Sequence, residues 1–275
     1  EALARGLEPD GSMLPPRVFI PSAEESEVII PLTKKLISDS MIELSNWKRS
    51  KLELKVSINA TVEVLDSENF VPWIEAQLKH HQLAPRSIII EITESRVVGT
   101  ASKVVENLTR LRQLGLGVSL DDFGTGYSSL LQLSRMPCSE LKIDRSFVSG
   151  ASDKEETAVL LGNSVRIGHG LGLNVVAEGV ETRADWDAVA RAKVDEVQGW
   201  FVGRAQPSDN VIPWIEDWNS RQLLLKTEQP SQNLQRTPVQ KLFHRDQWHF
   251  NPPNALGFTL LFILMTLSAV LARLI

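Results

Sequence analysis

Polar side chains suited to metal binding and acid–base chemistry follow successive apolar stretches of the sequence. Six stretches each end in an amide, a carboxylate or an ammonium group, and these residues are Asn59, Glu91, Asp121, Lys142, Glu178 and Gln198. Glu1 opens the chain with a further carboxylate. Four or five carboxylates gathered in one place repel each other strongly unless cations neutralise them. Because the donors are oxygens, without cysteine or a well-placed histidine, the set favours Mg²⁺ or Mn²⁺ over zinc.

Asp121 and Asp122 are adjacent, and such a doublet can serve two ions at once. Two divalent ions suit in-line displacement at phosphorus, where the ammonium of Lys142 would offset negative charge in the transition state. A simpler interpretation is open for each residue alone. A single acid after a strand, such as Glu94 or Asp144, is typical of a helix cap, and residues 121–126 could be only a glycine-rich turn. The repetition over six strands favours a metal-dependent hydrolase.

The elements that must position these residues alternate between short β-branched strands and longer amphipathic helices. Strands are predicted over residues 52–59, 87–93, 117–120, 140–143, 174–177 and 195–197. Helical spacing is predicted over residues 67–80, 101–114, 155–171 and 183–192. This alternation indicates an α/β fold with a parallel sheet and helical crossovers. In a parallel barrel the polar residues that follow the strands would all lie on one face.

Chain length favours a barrel that lacks one strand. A complete eightfold TIM barrel takes about 250 residues, and the strand–helix alternation covers only residues 1–220. These residues therefore suit a barrel without its opening strand, as expected of an N-terminally truncated domain. An open doubly wound sheet is the alternative, although no glycine-rich phosphate loop follows a first strand.

Composition limits the classes of protein to which the chain can belong. The apolar fraction of 43% and the charged fraction of 23% exclude a wholly disordered or collagen-like chain. A net charge of −5 argues against a DNA or RNA duplex as partner. Cys138 is the single cysteine, which excludes an internal disulfide and a thiolate metal cluster, and predicts a cytoplasmic protein.

The C-terminal part of the sequence differs from the rest. Residues 221–254 are polar and contain four prolines, which predicts a linker. Residues 255–275 are apolar and charged only at Arg273, which predicts a transmembrane helix at the short end of the usual length. Lys241, His244 and Arg245 precede it and would lie on the cytoplasmic side. A buried, amphipathic or partner-docking terminal helix is the alternative.

A set of ordered motifs resembles the EAL domain family of cyclic di-GMP phosphodiesterases over residues 1–218. The longest is DDFGTGYSSL at residues 121–130, and Glu1-Ala2-Leu3 with Arg5 resembles the motif that names the family. The other matching motifs are Phe19-Ile20-Pro21 with Ala23-Glu24, Val56-Ser57-Ile58-Asn59, Glu91-Ile92-Thr93-Glu94-Ser95, Leu141-Lys142-Ile143-Asp144, Ala177-Glu178-Gly179-Val180-Glu181-Thr182 and Gln198-Gly199.

This resemblance implies a modified TIM barrel, two Mg²⁺ or Mn²⁺ ions, and hydrolysis of cyclic di-GMP to linear pGpG. By motif, it implies metal ligands at Glu1, Asn59, Glu91, Asp121 and Asp122, the last for the second ion. Lys142 would contact the metal site and its water, and Glu94 would anchor the loop after Asp122. Glu178 would be the general base or a water-mediated metal contact. Arg5 would contact a phosphate of the substrate, and Gln198 would lie near the substrate or the metal-bound water.

The resemblance also sets expectations beyond the site. The family's Tyr-Gln-Pro strand precedes the EAL motif and is absent from this sequence, so an unpaired barrel edge is expected. Trp200 and Ala205 stand where the family more often has tyrosine and proline. The resemblance makes a homodimer and an upstream sensor or GGDEF domain plausible, and together with the apolar tail it predicts attachment to the inner face of a bacterial membrane. The rival functions are a non-catalytic cyclic di-GMP receptor and a protein-interaction module.

Overall fold

The computed structural model describes residues 1–8, 10, 12–26, 28–97, 102–126, 130–227 and 271–273. Its first two strands, β1 (Leu3–Leu7) and β2 (Met13–Leu14), form an antiparallel pair. A parallel bridge between Ala2 and Ile58 joins the start of β1 to the main sheet. The chain therefore enters the fold beside the strand that carries Asn59.

The main sheet has six parallel strands in the same order in space as along the chain. They are β3 (Val56–Asn59), β4 (Ile88–Thr93), β5 (Gly117–Phe123), β6 (Glu140–Ile143), β7 (Asn174–Ala177) and β8 (Glu196–Val197). A doubly wound sheet reverses its strand order at a switch point, whereas this order runs in one direction. The sheet is a curled, TIM-like α/β sheet, as predicted. The first predicted strand is shorter than expected, because it begins at Val56 instead of residue 52.

Helices follow the strands as crossover connections. They are α1 (Pro16–Glu25), α2 (Ile29–Arg49), α3 (Val62–Leu65), α4 (Phe70–His80), α5 (Glu94–Val97), α6 (Ser102–Leu114), α7 (Leu130–Leu133), α8 (Arg145–Val148), α9 (Glu155–Gly170), α10 (Arg183–Ala192) and α11 (Val211–Thr227). Their apolar faces bury against the sheet, as Ile37, Leu108 and Leu161 do. The β-branched strand residues, such as Ile88, Ile90 and Val175, form the other half of this core.

The C-terminal residues only partly fall within the described structure. Leu271–Arg273 forms β9, which pairs in parallel with Leu3–Arg5 of β1. A helix was predicted there, so the prediction is wrong for these three residues. The physical reason is that the edge of β1 offers backbone hydrogen-bond partners to an extended segment. The rest of the predicted transmembrane helix lies outside the described residues. Among the helices that the structure describes, none is long and apolar enough to cross a membrane.

The chain divides into two compact units, one formed by Glu1–Ser208 with Leu264–Ile275 and the other by Asp209–Ile263. In the second unit the structure describes α11, in which Trp214 and Trp218 stack with ring centroids 5.7 Å apart. This helix continues through residues 221–227, the first part of the predicted linker. Residues 228–254 lie outside the described part.

Candidate active site

Lys142 lies at the centre of a buried carboxylate cluster. Its side chain is 1% exposed, and it points from β6 into the barrel mouth. The Nζ atom lies 2.6 Å from Glu178, 3.0 Å from Glu91, 3.3 Å from Asp121 and 3.8 Å from Glu1. Three strand ends and the start of the chain therefore meet around one ammonium group, as the sequence predicted.

Glu1 connects the two ends of the strand order. Its Oε1 accepts a hydrogen bond from the amide of Asn59 at 2.8 Å, and its Oε2 accepts one from the amide of Gln198 at 2.6 Å. Asn59 ends β3, and Gln198 follows β8. The first and last strands of the main sheet therefore present side chains to the same carboxylate, which requires the sheet to curl.

A local irregularity brings both members of the aspartate doublet to the mouth. Neighbouring side chains in a regular strand point to opposite faces. The pairing of β5 with β6 shifts register between Leu120 and Phe123, and Asp122 has a φ of 57°. With this bulge, carboxylate oxygens of Asp121, Asp122 and Glu178 lie within 4.8 Å of one another.

Crowding and burial alter the protonation of the acids in the cluster. Burial, reinforced by Glu1, raises the pKa of Glu91 to about 8. Burial also raises the pKa of Glu178 to about 7, against the opposing effect of Lys142. The same burial opposes a charge on Lys142, but Glu91 and Glu1 hold its pKa well above the ordinary value. The cluster is therefore short of positive charge.

The donor set fits hard divalent cations. Three carboxylate oxygens of the cluster are buried, namely both oxygens of Glu91 and Oδ1 of Asp121. Within the part of the chain that the structure describes, none of the three accepts a directed hydrogen bond. The side chains of Glu1, Glu91, Asp121, Asp122 and Glu178 face a single lysine. Fully ionised, the five carboxylates exceed the single charge of Lys142 by four, and two divalent ions would neutralise that excess.

Glu94 lies beside the cluster and contacts the loop after Asp122. It begins α5, is 2% exposed, and accepts hydrogen bonds from the backbone N–H groups of Gly124 at 2.9 Å and Gly126 at 3.4 Å. A Cβ atom on Gly126 would lie 2.9 Å from Oε1 of Glu94, so glycine permits this close approach. Tyr127–Ser129, the next residues of the motif, lie outside the described part.

Two candidate substrate residues differ in their placement. Gln198 contacts Glu1 and therefore belongs to the mouth. The guanidinium of Arg5 donates to the carbonyl of Ala4, in its own strand, and its described hydrogen bond does not reach the cluster. Arg204, which the motifs did not single out, lies over the ring of Trp200 at 4.2 Å from its centroid. The spacing of four residues between Trp200 and Arg204 is the sequence feature that could have indicated this contact.

Comparisons with known proteins agree with this geometry. The family model described as "EAL domain" matches residues 1–205. "Signaling protein YkoW" of Bacillus subtilis is 34% identical over 232 residues, 84% of this chain and 28% of that protein. "Probable cyclic di-GMP phosphodiesterase PdeB" of Escherichia coli is 35% identical, over 78% of this chain and 41% of that protein. The chain thus spans less than half the length of these relatives.

Solved structures show the same fold. The structure described as "PaMucR Phosphodiesterase, c-di-GMP complex" has a TM-score of 0.68 and 33% identity, and the match covers 73% of this chain and 81% of that one. The EAL domain of Mycobacterium smegmatis DcpA has a TM-score of 0.60 and 31% identity, and the match covers 63% of this chain and 79% of that one. With its family match over 1–205 and its carboxylate cluster in one curled sheet, the chain belongs to the EAL domain family.

Proposed function

We propose that the barrel mouth hydrolyses cyclic di-GMP to linear pGpG. The observation that carries this proposal is the convergence of five carboxylates and two amides around the buried ammonium of Lys142. Relatives named as cyclic di-GMP phosphodiesterases and a related structure described as a cyclic di-GMP complex support the choice of substrate.

In this proposal Glu1, Asn59, Glu91 and Asp121 hold one Mg²⁺ or Mn²⁺ ion, and Asp122 holds a second. Bound there, the ions supply positive charge to the phosphodiester and acidify water. Their requirement for carboxylate oxygens matches the buried oxygens of Glu91 and Asp121 that accept no directed hydrogen bond from the described residues. The doublet brings two adjacent acids to the mouth, which favours two ions over one.

Glu178 and Lys142 have complementary roles in the proposed reaction. A general base works best when its pKa is close to the operating pH, and the pKa of Glu178 is about 7. The ammonium of Lys142 would offset negative charge on the phosphodiester. It also lies 2.6 Å from Glu178 and holds in place the carboxylate that would accept the proton. Gln198 and Arg5 remain proposed substrate contacts, and Glu94 remains the proposed anchor of the loop.

The proposal is tested with the purified 275-residue chain, stripped with EDTA and titrated with Mg²⁺ or Mn²⁺. We expect pGpG to appear by chromatography only with a divalent ion, and Glu178→Gln to lower the turnover number by about 100-fold or more. Glu75→Gln, an exposed glutamate on α4, is the matched control. Binding of cyclic di-GMP without product would favour a non-catalytic receptor, and absence of both would favour an interaction module.

The wider context of the domain is also a proposal. Relatives named as a bifunctional diguanylate cyclase/phosphodiesterase and as an oxygen sensor support an upstream GGDEF or sensor domain in a longer parent protein. A homodimer, a cytoplasmic location of the catalytic domain and membrane attachment through residues 255–275 remain predictions. Membrane attachment predicts that the intact chain sediments with vesicles of bacterial lipid and that a chain ending at residue 227 does not.

A further inference from the structure

An ion pair joins α1 to the mouth of the barrel. Nη2 of Arg96 lies 2.8 Å from Oε1 and 2.9 Å from Oε2 of Glu24, across 72 residues of sequence. Glu24 lies in α1, whereas Arg96 lies in α5, directly after β4. Hydrogen bonds between charged groups are stronger than neutral ones, so this contact constrains the position of α1.

Other contacts hold α1 only weakly. Within α1, all of whose residues the structure describes, Ala23 alone is buried. Phe19 and Ile20 are partly buried and pack against a small cluster that includes Ile29 and Leu32 of α2. With so little buried apolar surface, α1 depends on its polar contact for its position.

The ion pair borders a cavity that is also lined by Asn59, a residue of the mouth. The cavity has a volume of about 290 Å³ and is lined by Ile20 and Glu24 on one side and by Asn59, Thr93 and Arg96 on the other. Asn59 in turn donates to Glu1. Movement of α1 would therefore change the width of this cavity and leave the carboxylates in place.

We propose that Arg96 is a positioning residue for the substrate. Through Glu24 it holds α1, so that the cavity beside Asn59 keeps the width that one nucleoside of a cyclic dinucleotide requires. This inference rests on the proposed function. Because α5 also carries Glu94, one four-residue helix would position both α1 and the loop after Asp122. Since Arg96 acts through Glu24, its loss should affect substrate binding and leave the chemical step unchanged.

The test compares Arg96→Met with Lys103→Met in the full chain. Lys103 is the matched control, because its exposed ion pair with Glu68 has a similar length of 2.9 Å and does not line the cavity. For Arg96→Met we expect KM for cyclic di-GMP to rise about tenfold, with kcat within about twofold. Hydrolysis of bis(p-nitrophenyl) phosphate, too small to reach α1, should not change.

Charge reversal separates positioning from general damage. Arg96→Glu combined with Glu24→Arg should restore KM to within about threefold of the wild type, because the pair can form again. An unchanged KM in Arg96→Met, or an equal loss of activity toward both substrates, would overturn the inference. If the wild type binds cyclic di-GMP without hydrolysing it, the proposed function fails. The dissociation constant then replaces KM, and the same tenfold criterion decides on Arg96.

Discussion

The ammonium of Lys142 is almost fully buried and lies within 4 Å of four carboxylates. A charge in such a place is tolerated only when opposite charges compensate for its lost hydration. The carboxylates have the same difficulty, because they outnumber the lysine. Each residue of the mouth is therefore stabilised by groups from other strands, and no single one of them defines the site.

We predict that Lys142→Met abolishes most of the phosphodiesterase activity. Methionine has a similar length but cannot offset negative charge near the phosphodiester, so kcat should fall by about 100-fold to 1000-fold. Steady-state rates at saturating Mn²⁺ measure the effect. Lys79→Met, on the exposed side of α4, controls for loss of a lysine. Activity of Lys142→Met close to that of the wild type would contradict the role proposed for this ammonium.

At the scale of elements, the bulge in β5 and the helix α5 act together. The bulge places Asp121 and Asp122 at the same mouth, and Glu94 of α5 holds the backbone that follows them. Asp122 has a left-handed backbone conformation, which is strained for a residue that carries a side chain. Such a conformation persists only when the surrounding structure fixes it. The hydrogen bonds from Gly124 and Gly126 to Glu94 supply that constraint.

We therefore expect Glu94→Ala to impair catalysis more than Glu94→Gln. Alanine leaves the N–H of Gly124 without its carboxylate acceptor, whereas the amide oxygen of glutamine can still accept. The turnover number of each variant at saturating Mn²⁺ measures the difference, with Glu75→Ala as control. Equal activity of the alanine and glutamine variants would show that the hydrogen bond does not position the loop.

Helix α9 contains two glycines at which replacement by alanine should change the free energy of unfolding in opposite directions. A Cβ on Gly168 would lie 2.5 Å from Cγ2 of Val175 and 3.2 Å from Cδ2 of Leu141, whereas one on Gly162 has no atom within 4 Å among the described residues. Gly168→Ala should lower the free energy of unfolding by about 1–3 kcal/mol. Gly162→Ala should raise it by about 0.5–1 kcal/mol. Urea denaturation measures both, and shifts of the same sign would contradict this packing.

Considered as a whole molecule, the barrel has acids at both ends. Glu196 is the first residue of β8, at the end opposite the mouth, and accepts a hydrogen bond from Asn174 at 3.0 Å. Burial, reinforced by Glu140, raises the pKa of Glu196 from 4.5 to about 7, against the opposing effect of Lys55. Between these pKa values the folded protein binds more protons than the unfolded one. Stability contributed by this group is therefore lost as the pH rises.

Glu196→Gln should remove the cost of burying the ionised carboxylate at high pH. At about pH 8 we expect its free energy of unfolding to exceed that of the wild type by about 1–3 kcal/mol, and at about pH 5 the two should differ little. The new amide oxygen can still accept from Asn174. Urea denaturation at both pH values measures the effect, with Glu75→Gln as control. The same difference at both pH values would rule out titration of Glu196 as its cause.

Much of the fold could be predicted because local sequence determines it. The strands β6 and β7 and the helix α10 have the predicted bounds, since β-branched runs and amphipathic spacing are local signals. The observed bounds differ from the predicted ones where the sequence pattern does not stop at the end of the element. β3 begins at Val56, after four residues that the alternation had included, and β5 extends through the bulge to Phe123.

The sequence by itself determined which residue types meet at the mouth, because the polar residues follow the strands and parallel strands end on one face. Only the tertiary structure decided that Lys142 lies between four acids, that Gln198 and Asn59 share Glu1, and that Arg96 reaches Glu24. Spacing along a chain predicts which strand ends meet, but it does not fix which atoms of distant segments come into contact. The curl of the sheet, the register of its strands and the bulge in β5 set those distances.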